Sequence, residues 1–193
     1  MMGLFTFELY LLSRMRAASK VDETLQRLNA TRLDAERAAA AAEEYGFEEP
    51  GHSAQLYRDV LGAPVSSEPD LSLGPDSPFA GSTVLRFGLP VWPGFEFVVR
   101  EHPAGYAWGG GFDRAKGVAV PPLRGLADLR PWQFVEAEVT AGLGRPFSVD
   151  AWSGWEDLCY TVELSPEEPP RRYLLQFDLN LFQTISPYDG AAA

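Results

Sequence analysis

The sequence predicts an α+β fold, with an antiparallel sheet or sheets packed by one long N-terminal helix and shorter helices. Three observations carry that class. Apolar residues recur at spacings of three and four from Ser19 to Gly46; alternating, aromatic-rich segments follow in 82–101 and 156–185; and the helix-stop signal Leu-Gly-x-Pro occurs twice, at Gly62 and Gly144. The chain has 193 residues, 46% of them apolar and 12% aromatic, enough to bury a sizeable core and to exclude disorder over most of the length. The expected organisation is a single α+β domain over 1–193, with 1–125 and 126–193 as two related lobes within it.

Residues 5–12, FTFELYLL, place Phe5, Phe7, Leu9 and Leu11 on one face if extended, and this period of two favours a strand. A helix aligns Phe5, Leu9 and Leu12 almost as well. From Ser19 the spacing predicts a helix to Tyr45, capped by Ser19, with Asp22 at its third position and Gly46 to end it. Its stripe of Val21, Leu25, Leu28, Arg32, Ala35, Ala39 and Ala42 narrows to alanine, so another backbone can approach closely. That backbone belongs either to the chain's own sheet or to a second copy, which makes 20–45 the segment through which the chain would oligomerise.

Ser53 opens a short helix, 54–61, stopped by Gly62 and Pro64. Residues 62–81 are rich in Pro, Gly, Ser and Asp and read as a long exposed connection suited to a mobile loop. Two strands follow in STVLRFGL and GFEFVVRE, with Leu85 and Phe87 facing one way and Phe95, Phe97 and Val99 likewise. The glycine-rich stretch 102–125 reads as irregular backbone. Pro131 then opens a helix with Trp132, Val135, Val139 and Leu143 on its apolar side. The last strands are expected at 156–164, 172–178 and 181–185, with Trp152 in the loop before them and a frayed tail.

The formal net charge is −11, and residues 131–193 supply −7 of it, with three basic and ten acidic groups. Such a surface disfavours a nucleic-acid backbone and suits solubility or a basic protein partner. The acids Glu43, Glu44, Glu48 and Glu49 crowd a helix end, where negative charge is unfavourable, and so belong in solvent or against a basic surface. One cysteine and two histidines furnish neither a disulfide nor an ordinary zinc site; no metal and no cofactor are expected. In MMGLFTFELYLLSRMR the basic residues follow the apolar run and Glu8 interrupts it, so neither a secretory leader nor a membrane span is expected, and a cytoplasmic location is.

The two units LYRDVLGAP and EVTAGLGRP each precede strands with aromatic residues. The second, continued through WEDLCYTVEL to RRYLLQFDLNLFQTI, resembles the helix-Leu-Gly-x-Pro-strand module of BamE and beta-lactamase-inhibitor proteins over about residues 135–185. That resemblance implies a non-enzymatic binding module.

Catalytic chemistry finds little support. Cys159 lies mid-strand, His52 and His102 are followed by turn residues, and Gly-x-Ser-x-Gly is absent. Gly109, Gly110 and Gly111 before Arg114 and Lys116 suggest an anion nest without the order of a phosphate-binding loop. Glu96, Glu101 and Asp113 are the acids whose convergence in a pocket would make the chain a hydrolase. Indole beside carboxylate is the better-supported pattern, since rigid aromatic area anchors a partner and acids steer a basic one. The candidate partner-binding residues are Trp108, Asp113, Trp152, Trp155, Asp157 and Glu163, with no catalytic set. The expected function is an intracellular, non-catalytic protein-binding protein, most concretely a bacterial immunity protein neutralising a basic toxin; the alternatives are the acid-dependent hydrolase and a helix-mediated assembly protein.

Overall fold

A computed structural model describes all residues except 1, 48–50, 153–154, 163–169 and 189–193, and describes residues 148–152, 155–156 and 162 by their main chain only. The chain divides into two compact units, Met1–Ala115 and Lys116–Ala193. The first unit runs α1 (Leu4–Ser13), α2 (Ala18–Arg27), α3 (Arg32–Tyr45), α4 (Gln55–Leu61), β1 (Ser66–Pro69), β2 (Thr83–Gly88), β3 (Phe95–Glu101) and β4 (Ala107–Arg114). The second contains a 3-10 turn at Leu126–Asp128, then α5 (Glu136–Leu143), β5 (Ser148–Trp152), β6 (Trp155–Val162), β7 (Arg171–Asp178) and β8 (Leu181–Pro187). Each sheet is a four-stranded antiparallel meander, β1-β2-β3-β4 and β5-β6-β7-β8, so the α+β class holds.

The internal echo of the sequence has a counterpart in each unit: a helix, Leu-Gly-x-Pro, then four antiparallel strands. The two glycines leave their helices in nearly the same conformation, Gly62 at φ 82 and ψ −156 and Gly144 at φ 83 and ψ −168. A side chain at such positive φ is strained, which is why glycine stands there both times.

Residues 5–12 are helical, within α1, rather than extended. The period is ambiguous because six consecutive residues, Phe7 to Leu12, are all buried; a helix enclosed on every side shows no stripe. The long helix expected from Ser19 is two helices. Asn29 turns left-handed at φ 54, the Ala30 N–H donates to the Leu25 carbonyl, and Thr31 begins α3 with a capping box to Asp34. Of the expected stripe, Ala35 and Ala42 are buried and Ala39 is half-buried, with Ala38 buried beside them, and α3 packs on α1.

The connection 62–81 carries β1, paired with β2. The stretch 102–125 is not wholly irregular either, because its glycine triplet lies inside β4. Gly109 bulges at φ +60 where the β3–β4 register shifts, and a Cβ on Gly110 would stand 3.2 Å from the Phe97 ring. Gly109 therefore serves the bulge, and Gly110 the packing of the Phe97 ring. α5 begins at Glu136, five residues later than expected. The preceding segment is drawn into pairing with β8: the Trp132 N–H donates to the Phe182 carbonyl, the Phe182 N–H to the Phe134 carbonyl, and Val135 bridges Leu181. Trp152 belongs to β5, opposite Trp155 across a hairpin, rather than to a loop.

In the first unit Leu85, Phe87, Phe97, Val99 and Phe112 face the helices, where Phe7 meets Phe97 edge-on at 5.4 Å and Tyr57 lies 6.0 Å from Phe97. In the second, Phe134 and Val139 pack with Leu158, Tyr160, Leu175, Phe177 and Phe182. Among the described residues no helix is long and apolar enough to cross a membrane.

Candidate functional site

The strands β2, β3 and β4 alternate, so the residues between the core positions stand together on the sheet face turned away from α1 and α4. Register places Val84, Arg100 and Trp108 in one row, Arg86, Val98 and Gly111 in the next, and Gly88, Glu96 and Asp113 in the third. Trp108 and Asp113, both expected as partner-binding residues, therefore share this face.

Two ionic clusters organise it. Arg86 reaches Glu96 Oε2 at 3.4 Å and Asp113 Oδ2 at 2.9 Å, and Asp113 is the more exposed acid, with 48% of its side chain in solvent against 14% for Glu96. Arg100 Nε donates to Asp70 Oδ2 at 2.8 Å while its guanidinium lies 5.1 Å from the Trp108 ring centre. Phe79 also stacks on the indole at 4.4 Å and 28°, and Trp108 Nε1 donates to Ser82 Oγ at 3.2 Å. A half-buried indole is thus fixed by an arginine, a phenyl ring and a hydroxyl. The Asp70 carboxyl is held below the usual aspartate range, first by hydrogen bonding from Ser72, against the effect of burial and with help from Arg100.

Sequence reasoning missed Arg86, Arg100, Asp70 and Phe79. Arg86 and Arg100 alternate with core residues and were legible as outward positions; the return of Asp70 and Phe79 from a distant loop was not.

The three acids of the hydrolase alternative do not converge. Glu96 and Asp113 meet at Arg86, whereas Glu101 lies on the helix side of the sheet. There Arg58 binds it with two hydrogen bonds of 2.9 and 2.6 Å, and that pairing lowers its pKa. Held ionised by Arg58, Glu101 suits neither a general acid nor an unengaged base. His52 Nε2 lies 3.1 Å from the Tyr57 hydroxyl, and His102 stacks on Tyr106 at 4.3 Å while its Nδ1 accepts from the Ala104 N–H. Cys159 is buried. Among the described residues no three His, Cys, Asp or Glu side chains are grouped to hold a metal ion.

In the second unit, Asp157 is half-buried on β6 and accepts from Gln176 Nε2 at 3.4 Å. It stands on the sheet face opposite that of Leu158 and Tyr160. The main chains of Trp152 and Trp155 pair directly, and their side chains lie outside the described ones, as does Glu163 altogether.

No protein-family model matches the chain, and no curated protein matches it. Among solved structures, that of a "putative beta-lactamase inhibitor protein" from Streptococcus mutans is similar over 75% of this chain and 87% of that chain, at 12% identity and a TM-score of 0.28. At those values the likeness carries no argument about fold or activity.

Proposed function

We propose that the chain is an intracellular, non-catalytic protein-binding protein with a basic partner, most concretely a bacterial immunity protein that neutralises a basic toxin. The observation that carries this reading is the indole of Trp108, pre-set by its contacts with Phe79 and Arg100, on a sheet face shared with the half-exposed Asp113. An aromatic side chain already fixed in place loses little conformational freedom on docking. The net charge of −11 draws a basic partner toward it. Trp152 of β5, Trp155 and Asp157 of β6, and Glu163 form the corresponding part of the proposal in the second unit.

The test begins with affinity capture at low salt from the cells that carry the gene. The captured protein is then purified and titrated calorimetrically against the chain from about 50 mM to about 300 mM salt. A basic protein should be recovered, its affinity should fall at least about tenfold over that range, and Asp113→Arg should weaken it further. Co-expression should suppress any toxicity of that protein. Recovery of no basic protein at low salt, or an affinity indifferent to salt, contradicts the reading.

A further inference from the structure

Leu71 is 91% exposed, and no other large apolar side chain among the described residues is so fully in solvent. Burying such a side chain is favourable by about 1.5–3 kcal/mol, so a slack loop would fold it back. This loop is not slack. The Asp70 N–H donates to the Ser82 carbonyl at 2.9 Å and closes the base. Asp70 Oδ1 accepts from the Ser72 N–H and hydroxyl, at 3.0 and 2.5 Å, while Oδ2 accepts from Arg100 on β3. At the far end, Phe79 is stacked on Trp108. Leu71 is therefore held outward from a loop tied at both ends to the candidate face.

The charge around it points to one kind of occupant. Residues 62–81 contain Glu68, Asp70 and Asp76 and no lysine or arginine. Asp70 is engaged by Arg100, and Asp76 is exposed.

We propose that Leu71 is an apolar anchor that the 70–82 loop inserts into a pocket of the basic protein partner, a pocket rimmed by Lys or Arg that meet Asp76. The inference rests on the proposed function and names the contact by which it works. The loop's ties supply the preorganisation that an anchor needs, because less freedom is lost when it docks.

The test uses the full chain and the purified basic partner. A photo-crosslinking benzophenone residue replaces Leu71, Trp108 or, as a control on α3, the exposed Leu33. Crosslinks should form from positions 71 and 108 and not from 33. Leu71→Ser should weaken affinity about thirtyfold, the range of a binding hot spot, with thermal unfolding unchanged. A partner that binds and crosslinks from 108 but not from 71, with L71S binding as wild type does, overturns the anchor and leaves the proposed function standing. Crosslinking of position 71 to a second copy of the chain overturns it in favour of self-association. If no basic partner exists, the proposed function fails and takes the anchor with it.

Discussion

Glu8 sits in the middle of α1 with 4% of its surface exposed, and its Oε1 accepts from the Val91 N–H at 2.9 Å. Burial raises its pKa, and that one hydrogen bond only partly offsets the effect. A carboxyl raised in the folded state binds its proton more tightly there than when unfolded. Its contribution to stability is therefore full below the ordinary glutamate range and is lost as pH rises through the raised value. Glu8→Gln keeps an oxygen for Val91 and carries no charge. Denaturant unfolding at about pH 4 and about pH 8 should show E8Q gaining stability on wild type at the higher pH, and a difference independent of pH contradicts this assignment. Glu8 was visible in the sequence only as an interruption of an apolar run. Its burial was not legible, because nothing local announces that α1 is enclosed on every side.

At the scale of elements, the break between α2 and α3 shows what the sequence held and what was overlooked. Thr31 and Asp34 have capping-box spacing; each side chain satisfies the other's backbone N–H, at 3.2 Å to Asp34 N and 2.9 Å to Thr31 N. Asn29, tolerant of the left-handed conformation, marks the preceding stop. The signal was present, but an apolar spacing of three and four runs straight through it. Thr31→Ala should lower stability by about 1 kcal/mol, measured by chemical denaturation, because it removes the cap. A loss near zero would mean that packing of α3 on α1 fixes the helix start without the box. The strands β2 and β3 were legible in both extent and facing, since alternation survives wherever one face is core. β4 was not, because Gly109 at its bulge and Gly110 against the Phe97 ring look locally like a loop. The late start of α5 was hidden for a similar reason: Trp132 is held at φ 61 by its Nε1 bond to Gln183 and by pairing with β8, partners fifty residues away.

At the scale of the whole molecule, the duplicated plan of helix, Leu-Gly-x-Pro and four-stranded meander was foreshadowed by two short echoes. The candidate site was legible in part: indole and carboxylate mark Trp108 and Asp113 by their chemistry, and strand alternation brings them to one face. Part of what fixes the indole, Phe79 directly and Asp70 through Arg100, comes from the two ends of a loop that composition alone describes as open. The proposed function depends on that face receiving a basic protein. The most direct measurement is a titration of the chain with its purified basic partner, followed by the indole and amide NMR signals. The Trp108 Nε1–H signal and the amides of β2, β3 and β4 should shift together to saturation, and the shifts should weaken as salt is raised. Saturable binding that leaves Trp108 and those strands unmoved, and shifts α2 and α3 instead, would contradict the account.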